Sequence, residues 1–330
     1  MEQHQKTLKT WSHLSGNRKK PSEYDVVTKK LHYSTNNKDA PWELSPSSPM
    51  NSWYKNYRNN SKLKAENWDD FSDPDQLVYR TYNLMQDGQE SHVFSLFDQF
   101  SERGHDFQIE KEWVSLLAKI YTPLRYLYHG VQMSSSYLAQ MAPASTITNC
   151  ATFQTSDYLR FTTHTAYRTY ELSQNHPDIN FNSCEREAWE KSEYYQGFRK
   201  LIEKNLITYD WGECFVSLSG VIIPAVMEGV LKPLSEESKN NNDLLLSLVI
   251  DSQIKDVERH IKWARKLTEF YKSSNGGGVG PIDEWTDKWK PLGKDAILAY
   301  LDGFESSSFN KDEIISKYEN LMDSVTNRGS

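Results

Sequence analysis

The sequence predicts an all-α chain: a helical bundle behind an extended N-terminal arm, closed by short C-terminal helices. Three observations carry this. From Asp75 onward apolar residues recur at helical spacing almost without a break, no alternating strand pattern with hairpin turns is present, and the first 73 residues show neither period. The chain has 330 residues. That exceeds a typical domain, but long helices can share one core.

The arm, residues 1–73, holds Trp11, Trp42, Trp53 and Trp68 among many Asn and Ser, with prolines at 21, 41, 46 and 49, of which Pro41, Pro46 and Pro49 are set against helix. Each tryptophan needs a surface to bury against, either on the chain's own bundle or on a neighbouring subunit. Residues 74–272 read as the bundle. Asp73-Pro74-Asp75 carries the signals of a helix start, with proline and acids at the positive end of the dipole. Helices are expected at about 75–102, 106–120, 123–141, 145–173, 185–207, 210–231 and 241–271. Breaks are expected at Pro123, Pro143, Pro177 and Pro233, and Pro224 should kink or shorten its helix. Residues 273–330 read as a link, Ser273 to Pro281, followed by short helices near 282–289, 292–303 and 311–323. The link is rich in glycine but lacks the Gly-Lys-Ser/Thr of a phosphate loop, and no strand precedes it.

Composition narrows the function. With 10 Trp, 19 Tyr and 13 Phe the chain is too aromatic to be a disordered one. A mean hydropathy of −0.74 and the lack of a run near 18 apolar residues argue against a membrane span, and the polar stretch Met1–Thr10 has no signal core. Cys150, Cys184 and Cys214 have no paired spacing, which fits the reducing cytoplasm. A net charge of −7 without a basic stripe speaks against nucleic acid, and Arg18-Lys19-Lys20 reads as a solvated patch.

Two segments carry chemical information. Asp157-Tyr158-Leu159-Arg160-Phe161 and Asp256-Val257-Glu258-Arg259-His260 share the frame Asp-x-x-Arg-ring and lie 99 residues apart. In ferritin-like bundles with a carboxylate-bridged di-iron centre, two helices each carry Glu-x-x-His facing the core. A usual form is Asp-Glu-x-Arg-His. Here Tyr158 and Val257 stand where the glutamates would, and Phe161 where the first histidine would. Val257 shares an apolar seam with Ile250, Ile254, Ile261 and Ala264; Tyr158 and Phe161 share one with Ala151, Gln154 and Thr165. The lost ligand positions therefore point inward. Burying an apolar side chain there contributes roughly 1.5–3 kcal/mol, whereas an ionised carboxylate with neither metal nor partner costs several kcal/mol. His260 remains as a core histidine, with Asp256 one turn away as its expected acceptor. Glu213 and Glu228 are possible carboxylate ligands without a matching histidine, and Cys214 has no adjacent base. The fold expected is a ferritin-like bundle with no catalytic, cofactor-binding or metal-ligating residue of its own.

Several longer stretches support a family resemblance. They are Tyr24-Asp-Val-Val-Thr-Lys-Lys-Leu-His-Tyr-Ser-Thr-Asn-Asn37, Pro41-Trp-Glu-Leu-Ser-Pro46 and Asp73-Pro-Asp-Gln-Leu-Val-Tyr-Arg-Thr-Tyr-Asn-Leu-Met-Gln-Asp-Gly-Gln-Glu90. Gln140-Met-Ala-Pro-Ala-Ser-Thr-Ile-Thr-Asn149, His164-Thr-Ala-Tyr-Arg-Thr169 and Asp210-Trp-Gly-Glu213 belong with them. From about residue 10 to about 290 the chain resembles the β subunit of the hydroxylase in bacterial toluene monooxygenases, which are soluble di-iron multicomponent enzymes. The resemblance implies a dimer of α, β and γ subunits in which α holds the di-iron centre and inserts oxygen into an aromatic ring. It also implies electrons from NADH through a flavin and iron–sulfur reductase and a Rieske ferredoxin, and a small effector protein. The β subunit would share the fold of α without its metal, and its arm would pack on α, with Trp42, Trp53, Tyr54 and Trp68 as anchors. A phenol or alkene system, or an autonomous ferritin-like di-metal oxidase, are the alternatives.

Overall fold

A computed structural model describes residues 20–32, 47–278, 280–304 and 309–328, and no strand occurs among them. In the arm, α1 (Glu23–Thr28) is held by a capping box on Ser22, and α2 runs from Pro49–Tyr54 into a π turn, Lys55–Asn59. Pro49, expected to oppose helix, instead opens one, because a proline in the first turn gives up no hydrogen bond. The arm is thus not wholly extended. The bundle comprises α3 (Tyr79–Glu102), α4 (Lys111–Ile120), α5 (Leu124–Met141), α6 (Ser145–Asn175), α7 (Glu185–Lys191) and α8 (Glu193–Leu206). It continues with α9 (Trp211–Asn240), α10 (Leu244–Ser274), α11 (Gly280–Asp302) and α12 (Lys311–Thr326).

Four helices form the centre. α5 packs along α6, α9 along α10, and α6 meets α10. The structure corrects four expected boundaries. α3 begins at Tyr79 rather than Asp75, because the Asp73 carboxylate accepts from the backbone N–H of Asp75 and Leu77 and fixes a turn there. The helix expected at 185–207 is divided at Ser192, whose ψ of 133° is extended. The two short helices near 282–303 are one, with Pro291 inside it. Finally, α9 passes through both Pro224 and Pro233. Each proline follows a π-helical stretch, Val216–Ile222 or Met227–Leu231. The widened turn shifts the hydrogen-bond register, which accommodates the missing N–H without a break.

α9 also overturns the reading that no segment is apolar enough to span a membrane. It passes that test of length and composition, but its most apolar window is wholly buried, and its side chains belong to the core cluster. α11 and α12 are not appendages. Trp285, Trp289, Tyr300 and Tyr318 join the same core cluster as Tyr128, Phe161 and Val257.

The arm packs on its own bundle where it is described. Trp53 donates its Nε1–H to Tyr137 Oη at 2.9 Å and lies 4.8 Å from the Tyr209 ring. Trp68 meets Trp211 edge-on at 5.1 Å, and Arg58 sits 4.5 Å over the Tyr54 ring. All three anchors are half-buried. Trp42 lies outside the described residues.

α8 and α11 approach closely because Gly197 carries no side chain. A Cβ there would fall 2.5 Å from the Ala296 Cα and 3.1 Å from its backbone nitrogen. Backbone cannot step aside as a side chain can, so Gly197→Ala should cost at least the roughly 1–3 kcal/mol of an overpacked core. Thermal denaturation of the variant checks this; an unchanged melting temperature would refute so tight a contact.

Candidate functional site: a buried ion network between two Asp-x-x-Arg frames

The two frames meet across the α6–α10 interface. Arg160 Nη1 lies 3.3 Å from Asp157 Oδ1 on its own helix and 3.0 Å from Asp256 Oδ2 on the other. Arg259 mirrors it, with Nη1 3.0 Å from Asp256 Oδ1 and Nη2 bonded to Asp157 Oδ2. Each arginine thus straps its own aspartate to the opposite one, as expected of two antiparallel helices related by a local two-fold. The relation extends one turn further, since Gln154 and Gln253 occupy the same place in each frame and both are buried. A third helix ties the pair. From α3, Gln86 Nε2 donates to Asp157 Oδ1 at 2.9 Å and to Asp256 Oδ1 at 3.0 Å, and Tyr82 Oη donates to Asp157 Oδ1 at 2.7 Å. Glu90 on α3 accepts from Arg160 Nε at 2.7 Å and contacts His164 Nε2 at 2.9 Å.

Asp157 is fully buried, and burial alone would push its carboxyl up. His260 and Arg259 outweigh that and hold it below its ordinary value. Glu90 is depressed likewise, with His164 and Arg160 opposing its burial.

His260 corrects the expected pairing. Its Nε2 lies 2.8 Å from Asp157 Oδ2 on the opposite helix, not on Asp256, whose oxygens are taken by both arginines and Gln86. With a carboxylate facing Nε2, that nitrogen is the one that donates, and Nδ1 is left to the bundle centre. That is the arrangement in which a carboxylate orients a metal-ligating histidine. Nδ1, however, is buried without a hydrogen-bond partner in the protein, and the imidazole has aromatic neighbours. The Tyr158 ring lies 5.5 Å from the imidazole and 5.1 Å from Phe161, and the Tyr128 ring from α5 lies 5.8 Å from Phe161. Tyr158, Phe161, Val257 and His260 are all at most 1% exposed.

A di-iron centre does not fit these residues. Of the four ligand positions in the frames, only His260 offers a donor of the required type. The nearby carboxylates, Asp157 and Asp256, are already neutralised by guanidinium groups, and no cluster of three or more His, Cys, Asp or Glu suited to a metal exists among the described residues. Glu213 and Glu228 do not converge on the frames: Glu213 accepts from Trp289 Nε1 at 2.9 Å and pairs with Lys288, and Glu228 pairs with Lys232 at 2.6 Å. Burial pushes the Cys214 thiol up to about 12, so it is no nucleophile at neutral pH.

Sequence reading missed a second network one end further along α6. Arg168 bonds Asp106 through both amino groups, at 2.9 and 2.6 Å. Asp243, which caps α10 by accepting from Leu246 N–H, also holds His105 Nε2 at 3.2 Å and Trp113 Nε1 at 3.1 Å. Asp106 and Asp243 are depressed: burial raises each, but Arg168 with Asn175, and His105 with Arg168, prevail. No sequence spacing signals these partners. Gln154 and Gln253, by contrast, were a visible extension of the repeated frame.

The fold is that of the methane, phenol and alkene hydroxylases. Their family model matches residues 42–274, and the chain belongs to that family. A curated relative, the hydroxylase component subunit beta of the toluene-4-monooxygenase system of Ectopseudomonas mendocina, is 58% identical over 296 residues, covering 90% of each chain. The oxygenase component DmpL of phenol 2-monooxygenase from Pseudomonas sp. (strain CF600) is 19% identical over 241 residues, 72% of this chain and 71% of that one. A solved structure of toluene 4-monooxygenase with toluene bound in the resting active site superposes with a TM-score of 0.87 at 57% identity, covering 91% of this chain and 99% of that one. Phenol hydroxylase from Pseudomonas sp. OX1 matches in fold at a TM-score of 0.75, with 16% identity and 91% of each chain covered.

Two results follow from the network. Arg259→Met leaves Asp157 and Asp256 short of a counter-charge and should cost about 3–5 kcal/mol, while Asp157→Leu combined with Arg259→Met should cost less than the sum of the single changes; additive losses in a double-mutant cycle would deny the coupling. The four depressed carboxyls also set an acid limit. Their stabilisation is fully present above the unfolded carboxylate range near pH 4 and is lost as pH falls through their lower folded values. Stability should therefore fall less steeply from pH 5 to pH 2 for Asp157→Asn than for wild type, and parallel slopes would contradict the assignment.

Proposed function

We propose that this chain is the non-catalytic β subunit of a multicomponent di-iron hydroxylase that oxidises toluene-like aromatic hydrocarbons. The observation that carries the reading is the substitution of the inward ligand positions by Tyr158, Phe161 and Val257, set within a carboxylate–guanidinium network that is already charge-balanced. The relative that is 58% identical over nine-tenths of each chain is itself a subunit designated beta. On this reading the di-iron centre resides in a partner α subunit, this chain holds no cofactor, and the cytoplasmic complex is an assembly of two copies each of α, β and γ. Effector protein, Rieske ferredoxin and NADH-dependent reductase complete the system.

A subunit needs a surface to offer. Tyr79, Leu84 and Phe94 on α3 and Leu159, Tyr167 and Tyr170 on α6 are exposed on neighbouring helices, a concentration of large apolar side chains that suits burial against other subunits. The half-buried Trp53, Tyr54 and Trp68, and Trp42 outside the described residues, are further candidates for contact with α, their inner faces fixing the arm to this bundle.

The test is reconstitution. Supplied with iron(II), oxygen and the reductase–ferredoxin pair, this chain alone should leave toluene unoxidised, and the α subunit produced without it should fail to assemble into active hydroxylase. Turnover by the lone chain would instead favour an autonomous di-metal oxygenase, and full activity of α with γ alone would remove the structural role.

A further inference from the structure

The centre of the bundle contains more polar atoms than the protein itself satisfies. His260 Nδ1, Tyr158 Oη, Tyr128 Oη, Gln154 Oε1 and both side-chain polar atoms of Gln253 have no protein partner. The five residues are at most 2% exposed and lie on three helices of the central four, α5, α6 and α10. Four of them form one neighbourhood. Tyr158 packs against His260 at 5.5 Å and near Tyr128 at 6.3 Å between ring centroids, and Gln154 stands one turn before Tyr158, where its Nε2 is spent on Ser135 Oγ at 2.8 Å.

A buried polar atom left without a partner forfeits the hydrogen bonds it would make in water. Four on neighbouring residues are therefore a strong demand for a partner. Their chemistry says which kind. With Nε2 turned to Asp157, His260 leaves Nδ1 to the centre; Gln154 offers a carbonyl oxygen; the two tyrosines each offer a hydroxyl that can donate or accept. Acceptors and donors are mixed. Burial, followed by Asp157 and Asp256, drives the Tyr158 hydroxyl upward, and burial does the same for Tyr128, so both keep their protons. An anion or a cation would find no counter-charge here, because the nearby carboxylates and guanidiniums are committed to one another. The guest that fits is small, neutral, and able to donate and accept at once.

We propose that the bundle centre is a built hydration site: ordered water bridges Tyr158 Oη to His260 Nδ1 and continues to Tyr128 and Gln154, at the place where a Glu-x-x-His pair would face a metal. Buried water commonly makes about three such bonds and is costly to remove. The inference rests on the reading of α6 and α10 as metal-free; a metal at the centre would betray itself by its scattering and would end both readings, whereas a dry centre would end only this one.

The experiment is a crystal structure of the assembled hydroxylase at a resolution that shows water, paired with the Tyr158→Phe variant in the same assembly. Water density within about 3.2 Å of Tyr158 Oη and His260 Nδ1, lost from the tyrosine side in the variant, is the expected result. The variant should also melt at lower temperature, since a satisfied hydroxyl has been removed. A centre without water, or a variant that melts at or above the wild-type temperature because an unsatisfied group is gone, would overturn the proposal. Tyr128→Phe, whose hydroxyl likewise has no protein partner, supplies a second variant with the same expected sign should Tyr158→Phe fail to assemble.

Discussion

Two buried aspartates on antiparallel helices would repel each other, and the structure turns that liability into its main constraint. Asp157 and Asp256 are each bonded by both Arg160 and Arg259, and Gln86 reaches both from α3. None of the four ions can be removed alone without leaving a largely buried charge unpaired. The register of α6 against α10 is therefore fixed by charge. A slip of one turn would part each guanidinium from the opposite carboxylate. α3 is held in place by the same contacts, so three helices owe their relative position to one set of polar atoms.

Around that set the packing is apolar and specific. Tyr158, Phe161 and Val257 take the inward positions of the two frames, and Tyr128 closes the space from α5. The chemistry of the site follows from this division of labour. Carboxylates that could have served a metal are instead spent on arginines, and the one remaining imidazole is bonded to Asp157. The arrangement keeps a carboxylate behind His260, as a metal-ligating histidine would have, while Tyr158, Phe161 and Val257 stand at the other ligand positions.

Much of this was legible in the chain itself. The repeated Asp-x-x-Arg frames, their inward-facing seams and the loss of the ligand types can be seen in residues 154–165 and 250–264, because helical periodicity maps directly to burial. Local signals misled where tertiary context prevailed. Pro224 predicted a kink or an early end and Pro233 a break, but the π turns that precede them absorbed both. Asp256 was the nearest partner of His260 in sequence, yet the partner came from the other helix, since two arginines had already claimed Asp256. Gln86, Glu90, Asp106 and Asp243 join the networks from distant segments, and nothing in spacing encodes a contact across that many residues. The arm was the least legible part, because a tryptophan's need for burial does not specify which surface meets it; Trp53 and Trp68 found theirs on this bundle.

The central claim is that the two frames hold helices together and hold no metal. Anomalous X-ray scattering at the iron edge, measured on crystals of the assembled hydroxylase, tests it most directly. The account predicts a strong paired signal in the partner subunit and none between Tyr158, Phe161, Val257 and His260. An iron peak among those four residues would contradict it.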